Sequence, residues 1–465
     1  MKIAVCAICR NEYLYLKEWV AFYKLVGFDS IYIYDNISDD GTSELMLALD
    51  SVGAINRVFW PRVDGVPPQR AAYSHFINNF SAEYDFVLIC DMDELLIVPN
   101  YNVKSFLSNA LANYPNMGAI AIPWLIFGAG GEEHYKNNLI IDRFLKCDDT
   151  VSNVVKTIFR PSCVQNMRTH ICDLISGSYL SGDLAQAVWH DIHPHWVVNN
   201  NENGAVIYHY YTKSRDEWVK RRSLPKADRA KIEKRYTDEF NLYANQTRYN
   251  DKARELSPGV RSCIQSMEVN LALLSSRVSN IKLKLIDISN DWIFGVIEGN
   301  YEDTINLNLI INGTTELKLK IPPSGNGITP FTYKLKWFSP RVESISVNIV
   351  GLGVSHTFKP SQMANLDDKF IQLCDYFPSA EEHIFSVFLC VLNKSLSKKV
   401  YDKASGQKFI KYPRHKMFID GVLEYINFGN GVKLNDLLNK NPEYKKILSR
   451  TKNTNLISFF LGEGV

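Results

Sequence analysis

DFVLICDMDE, residues 85–94, is the stretch on which the reading of this chain turns. Val87, Leu88, Ile89 and Cys90 make a short apolar run, and Asp91, Asp93 and Glu94 follow at its carboxyl end. A run of that length bounded by polar residues reads as a buried strand. Two carboxylates at i and i+2 on a strand end can share one hard divalent cation. Mg²⁺ and Mn²⁺ prefer oxygen ligands and are commonly shared with substrate phosphates. A cation held there neutralises a diphosphate leaving group. An Asp-x-Asp alone is weak, because acidic pairs are common in loops, so the rest of the chain has to support it.

Upstream, residues 3–9 (IAVCAIC) form an apolar run of strand length. Residues 13–26 repeat apolar positions at helical spacing through Leu14, Trp19, Phe22, Tyr23 and Val26. SIYIY (30–34) is a second strand, 43–52 a second helix, 58–60 another short strand, and 68–80 a third helix. Strands alternating with helices predict an α/β fold: a mostly parallel sheet covered on both faces. Ligands in such sheets sit outside the carboxyl ends of the strands. Arg10-Asn11-Glu12 follows the first strand, and Asp35-Asn36-x-Ser38-Asp39-Asp40-Gly41-Thr42 follows the second. Turn and cap chemistry accounts for Ser38, Asp40 or Gly41 singly. It does not account for polar clusters at three strand ends on one edge.

The chain has 465 residues, 46% hydrophobic and 22% charged, which excludes wholesale disorder. Lys+Arg is 52 against 50 Asp+Glu, too even for a dedicated nucleic-acid binder. No apolar run reaches the ~18 residues of a bilayer span. MKIAVCAICRNE imitates a signal peptide, then meets Arg10, Asn11 and Glu12 without a cleavage site. The nine cysteines have no regular spacing, and Cys6-x-x-Cys9 lies inside a strand, so a reducing, cytoplasmic setting is expected. Residues 213–235 carry ten Lys/Arg against four acids. That run reads as a basic helix: a solvated face, a contact for substrate phosphates, or peripheral contact with the inner face of a membrane. From 281 to 358, period-two runs predict a small antiparallel β-sandwich. The expected divisions are 1–245 catalytic, 246–280 a helical connector, 281–360 the sandwich and 361–465 helical.

The ordered motifs C-x-x-x-R-N-E-x-x-Y-L-x-E-W-V-x-F-Y-x-x-x-G-F (Cys6–Phe28), Y-D-N-x-S-D-D-G-T (Tyr34–Thr42), Gln69, D-M-D-E (Asp91–Glu94) and W-x-x-F-G-x-x-G (Trp124–Gly131) resemble glycosyltransferase family 92, a family-2-like group. I-I-D-R-F (140–144), K-T-I-F-R-P (156–161), His170 and H-Y-Y-T-K-S-x-x-E-W (209–218) extend the likeness over about residues 1–225. The resemblance implies a Rossmann-like GT-A catalytic domain, a nucleotide-sugar donor (a UDP-sugar first), a glycan or glycoconjugate acceptor, Mn²⁺ or Mg²⁺, and inversion. On it, Arg10, Asn11, Glu12, Asp35, Asn36 and Gln69 line the nucleoside side. Asp91 and Asp93 face metal and diphosphate, and His209 is a late metal ligand, the alternative being a hydrogen-bonded histidine beside Tyr208 and Tyr210. Lys156 and Arg160 contact the diphosphate or form a surface strand pair.

Inversion requires a base for the acceptor hydroxyl. Glu94, Glu132, Glu133, Asp142, Asp173, Asp183 and Asp191 are the acids considered. Asp173, just beyond His170, is the first choice, and Glu132, after the glycines at 128–131, the second. His190-x-x-His193-Pro194-His195 looks zinc-like, but Pro194 prevents a simple helical display. Two other readings compete. A haloacid-dehalogenase-like phosphatase also opens on strand-Asp-x-Asp, but Leu95 stands where Thr or Val is usual. A non-catalytic carbohydrate-binding protein would use the sandwich. A homo-oligomer fits any of these.

Overall fold

Every residue of IAVCAIC is buried, and the strand it forms, β1 (Ile3–Cys9), has covered faces on both sides. A continuous apolar run is what such a strand needs, since its side chains alternate between two cores. Ile3, Val5, Ala7 and Cys9 join the core under α1 (Tyr13–Leu25), whereas Ala4, Cys6 and Ile8 join the second core. Cys6 and Cys9 therefore face opposite ways, and the Cys-x-x-Cys does not form a redox pair. Both are free thiols. These features come from a computed structural model that describes residues 1–63, 65–193, 195–222, 239–289, 292–323, 328–334, 342–353 and 355–358.

After α1 come β2 (Ser30–Asp35), α2 (Thr42–Ser51), β3 (Asn56–Phe59), α3 (Pro68–Asn79) and β4 (Phe86–Ile89). Helix α1 buries Leu16, Trp19, Val20, Phe22 and Tyr23, while Leu14 stays half-exposed at its first turn. Helix α3 begins at Pro68, whose missing N–H costs nothing at a helix start, and lays Ala72, Tyr73 and Phe76 on the second core. Then follow β5 (Glu94–Ile97), α4 (Val103–Asn113), β6 (Met117–Ile126), α5 (Ile140–Arg143), β7 (Lys146–Cys147), β8 (Val155–Phe159), β9 (Val164–Met167), β10 (Cys172–Leu174), β11 (Ser178–Ser181) and β12 (Val206–His209). Helices α6 (Arg215–Arg222) and α7 (Phe240–Ala244), β13 (Arg248–Tyr249) and α8 (Ser257–Val278) complete this part.

The main sheet runs β3-β2-β1-β4-β8-β6-β12-β5, with β11 also on β6. The expected parallel pairing holds for β3-β2-β1-β4. Beyond β4 the sheet is mixed: β8 runs against both β4 and β6, and β12 against β5. Antiparallel neighbours need no crossover helix, which is why the helix alternation stops there. β4 and β5 are four places apart in the sheet yet joined only by Cys90–Asp93. That link is a turn, since Glu94 N donates to Asp91 O at 3.2 Å. The sheet must therefore curl back, and it does so along β6, which pairs with β8 through Pro123 and with β12 from Trp124 onward.

The chain divides into two compact units, Met1–Leu274 and Ser275–Val465, with the division near the end of α8. In the second unit, β14 (Lys282–Ser289), β15 (Trp292–Glu298) and β18 (Ile328–Lys334) form one antiparallel sheet. β16 (Ile305–Ile311), β17 (Thr315–Ile321), β19 (Ile345–Ile349) and β20 (Ser355–Phe358) form another. Ile297 and Phe331 from the first meet Leu307, Leu309 and Val347 from the second in one apolar cluster. The expected helical region 361–465 lies outside the described residues.

Gly128, in the loop after β6, has a packing role. A Cβ there would sit 2.7 Å from Tyr243 O and 2.8 Å from Ala244 O, both backbone atoms. Gly128→Ala is expected to cost about 1–3 kcal/mol of stability by forcing the two segments apart. A urea titration reads this, and an unchanged midpoint would show that the segments do not press together there.

Candidate functional site

The turn after β4 is braced from below by α1. Trp19 Nε1 donates to Asp91 O at 3.0 Å, and Tyr23 OH donates to Glu94 O at 3.0 Å. The Glu94 carboxylate turns back and accepts from Asp91 N at 2.9 Å. Lys156, on β8, is completely buried, with Nζ 2.9 Å from Asp91 Oδ2 and 3.4 Å from Glu94 Oε2. The other oxygen of Asp91 accepts from Gln69 Nε2 (2.8 Å) and Tyr73 OH (3.1 Å), both on α3. Burial opposes the charge on Asp91, but the Lys156 ammonium outweighs it and holds that carboxyl below its ordinary range. At Glu94 burial prevails over the same ammonium and pushes the carboxyl up to about 7.

Asp93 has a different environment. Its side chain is 3% exposed, and Oδ2 lies 2.5 Å from Arg221 Nη1 and 3.4 Å from His209 Nε2. Burial again works against the charge, yet Arg221 and then His209 hold the carboxyl well below its usual range. Register explains the meeting: His209 pairs with Glu94 across β12 and β5, so it stands beside the turn, and Tyr210 N closes on Asp93 O at 2.9 Å.

Above this turn lies a cavity of about 340 Å³. Arg10, Asn11, Glu12, Asn36, Gln69, Asp91, Asp93 and His209 all line it. Asn11 sits at φ 57° and exchanges hydrogen bonds with Asp39 (2.6 and 3.0 Å), which ties the first two strand ends together. Asn36 Nδ2 donates to Trp60 O at 2.8 Å. Trp124 also lines the cavity, with its ring 4.5 Å from that of His209.

Six residues singled out in the sequence have other partners. Asp35 is buried beneath the cavity, 2.7 Å from Arg57 Nη2 and 2.7 Å from Ser43 Oγ, so its carboxylate anchors α2 and β3 and does not line the nucleoside side. Lys156 neutralises the acidic turn and is sealed from any diphosphate, and Arg160 Nη1 points to Pro115 O and Met117 O. Asp173 pairs with Arg168 at 2.8 Å on the β9–β10 hairpin, outside the cavity lining. Glu132 is held by Arg143 (3.1 Å) and Lys136 (2.9 Å), also outside it. His190 Nδ1 accepts from Ile192 N (3.0 Å) and His193 N (3.2 Å), so this imidazole caps a turn.

The donor set was also expected to hold a cation. Among the described residues no three His, Cys, Asp or Glu are grouped to hold a metal on their own. Asp91 is spoken for by Lys156, Gln69 and Tyr73, so the two aspartates do not act as an equal pair. Asp93 Oδ2 and His209 Nε2 do fit as a two-donor site, an oxygen and an imidazole that suit Mn²⁺, with phosphate and water left to complete the shell.

The cavity also contains residues that motif reading gave no individual role. Lys213 Nζ reaches Glu12 (3.0 Å) and lies 3.7 Å from the centre of the Tyr15 ring. Glu217 accepts from Arg143 Nη2 (2.8 Å) and Ser214 Oγ (2.5 Å). Arg221 comes from the basic run, of which 223–235 lies outside the described residues. Arg222 packs inward, 3.8 Å over the Trp218 ring. The signal available was the spacing of Glu217 and Arg221, four apart on one face of α6; Lys213 precedes the helix at φ 54°.

The profile of glycosyltransferase family 92 matches residues 2–245, just over half of the chain. The chain belongs to glycosyltransferase family 92. A family 92 protein of Oryza sativa subsp. japonica is 30% identical over 133 residues, 28% of this chain and 22% of that protein. One of Ricinus communis is 27% identical over 135 residues, 29% of this chain and 24% of that one. The matched stretch thus spans less than a quarter of these relatives. Among solved structures, residues 1–349 of TarS from S. aureus align with 15% identity and a TM-score of 0.24, covering 35% of this chain and 48% of that one.

In this family 92 chain the buried ammonium is the element most exposed to test. Lys156→Met leaves Asp91 and Glu94 without their shared counter-charge, and should destabilise the fold by about 3–5 kcal/mol. Chemical denaturation of the full chain checks this; a loss under about 1 kcal/mol would show that Asp91 and Glu94 are not held by that charge.

Proposed function

We propose that this chain moves a sugar, with inversion, from a nucleotide-sugar donor, a UDP-sugar in the first instance, to a hydroxyl of a glycan or glycoconjugate. The observation that carries the reading is Asp93 beside His209 on the floor of a cavity ringed by Arg10, Lys213 and Arg221, in a chain of family 92. The architecture is read as GT-A, on the parallel β3-β2-β1-β4 half and the acidic turn that follows β4. The nucleoside belongs against Arg10, Asn11 and Asn36 at the ends of β1 and β2. Asp93 and His209 would hold Mn²⁺ or Mg²⁺, which supplies Lewis-acid neutralisation of the departing diphosphate. Asp91, locked by Lys156, fixes the turn and offers its outer edge to the ribose side.

With Asp173 and Glu132 outside the lining, proton acceptance is assigned to Glu217. It lines the cavity, and burial, with Glu12 adding to the effect, pushes its carboxyl up to about 7. Arg143 and Ser214 orient it. A carboxylate of that basicity suits a hydroxyl proton near neutral pH. Because the base must be ionised, turnover should rise with pH through about 7.

A thermal-shift panel of UDP-, GDP- and CMP-sugars with and without Mn²⁺ tests the donor. One of them should raise the melting temperature only when Mn²⁺ is present. Asp93→Ala should remove that shift and lower donor turnover by about a hundredfold or more. A panel with no response, or an Asp93→Ala chain that responds like the unaltered one, sinks the reading. Glu217→Gln should keep the shift while losing about a hundredfold in kcat and the acidic limb of the pH profile. Near-normal turnover would remove Glu217 from the mechanism.

A further inference from the structure

Arg221 occupies a position that a bound cation would contest. Its Nη1 rests on Asp93 Oδ2, the same oxygen that lies 3.4 Å from His209 Nε2. A divalent ion between Asp93 and His209 and a guanidinium on that oxygen would be like charges within about 4 Å, which repel strongly in a partly buried site. One of the two has to leave. The side chain of Arg221 is 34% exposed, whereas that of Asp93 is 3% exposed.

Two neighbouring cations, Lys213 and Arg222, do not have this freedom. Lys213 is committed to Glu12 and the Tyr15 ring. Arg222 is buried on Trp218, donates to Tyr211 OH at 2.7 Å and pairs with Glu239 at 3.2 Å. Among the described residues Arg221 has one further hydrogen bond, Nη1 to Tyr211 O at 3.4 Å, at the long end of the range, and the Glu12 carboxylate also acts on its charge. It stands in the last turn of α6 and lines the same cavity as Arg10 and Lys213.

We propose that Arg221 is an exchangeable counter-ion of Asp93. It neutralises the buried carboxylate while no metal is bound. When the cation takes Asp93, Arg221 turns to the diphosphate of the donor, whose oxygens its planar fork can meet two at a time. The proposal rests on the donor reading above and adds a residue with two successive partners. The exchange keeps the buried aspartate paired at every stage, and it delivers a second positive charge to the diphosphate only after the metal has arrived.

The test is metal binding rather than turnover. Mn²⁺ alone is titrated into the full chain and followed by electron paramagnetic resonance; UDP is then titrated at saturating Mn²⁺ by calorimetry. Arg221→Gln should bind Mn²⁺ roughly tenfold more tightly, because its competitor is gone, and UDP roughly tenfold more weakly. A residue with only a structural role would weaken both. Arg221→Lys keeps the charge but not the fork, so Mn²⁺ affinity should stay near that of the unaltered chain while UDP affinity falls. Should Arg221→Gln fail to fold, as judged by its melting curve, the Lys variant decides, and unchanged UDP affinity there overturns the proposal. Equal or weaker Mn²⁺ binding by Arg221→Gln, or equal UDP binding, also overturns it. If the unaltered chain binds Mn²⁺ but not UDP, the donor reading fails and takes the exchange with it. If the unaltered chain binds both and the variant matches it, only the exchange fails.

Discussion

A single buried ammonium organises the site. Lys156 lies completely buried with its Nζ between Asp91 and Glu94. Two carboxylates three residues apart could not both carry charge there without it. A buried ion pair of this kind adds little net stability, because desolvation takes back most of the Coulombic gain. What it does is determine shape. The Glu94 carboxylate folds back on Asp91 N, and Asp91 is held from α3 through Gln69 and Tyr73. Trp19 and Tyr23 hold the backbone of the same turn from α1. Asp93, in the middle, has nowhere to go but up into the cavity with His209.

The same contacts explain why motifs so far apart in the chain occur together. E-W-V-x-F-Y supplies Trp19 and Tyr23, Gln69 stands alone on α3, K-T-I-F-R-P supplies Lys156, and H-Y-Y-T-K-S supplies His209. Each of these reaches the four residues Asp91–Glu94. Glu18, the acid of the first motif, does something else. Its buried carboxylate accepts from Ile140 N and Ile141 N (2.8 and 3.3 Å), so I-I-D-R-F is secured by the same helix. That places Arg143 where it can hold Glu217 at the cavity edge.

The parts legible in the sequence are those set by local pattern. β1 to β4 and their helices follow from apolar runs and helical spacing, and the strand-end positions of Arg10, Asn36 and Asp93 follow from those. The mixed half was not legible, because the order β8-β6-β12-β5 depends on pairing between distant segments and on the curl at Pro123. Burial partners were equally hidden. Lys156 in VKTIF looks like a surface lysine until its acids are known, and Asp35 looks like a ligand until Arg57, 22 residues on, is seen against it. Asp173 stands just beyond His170 in the sequence, but a hairpin carries it away to Arg168. Charge along 213–222 does not show which side of α6 is buried; Trp218 turns inward and takes Arg222 with it.

The contrast between Asp91 and Asp93 bears on how such a site can be both rigid and chargeable. Asp91 is surrounded by donors that cannot leave without breaking the sheet edge, so its position is fixed before any substrate arrives. Pre-set geometry of this kind lowers the reorganisation needed at the moment of reaction. Asp93 is the more deeply buried of the two, 3% exposed against 30% for Asp91, yet its charged partners are a histidine and a partly exposed arginine. The proposed exchange of cation at Asp93 would leave its backbone where Trp19, Tyr23 and Lys156 put it. Were both aspartates held as Asp91 is, the proposed exchange would have no site; were both paired as Asp93 is, the turn would lose its position each time the charge changed. Placing them two residues apart, on a turn too short to let either shift alone, lets one fixed backbone serve both requirements.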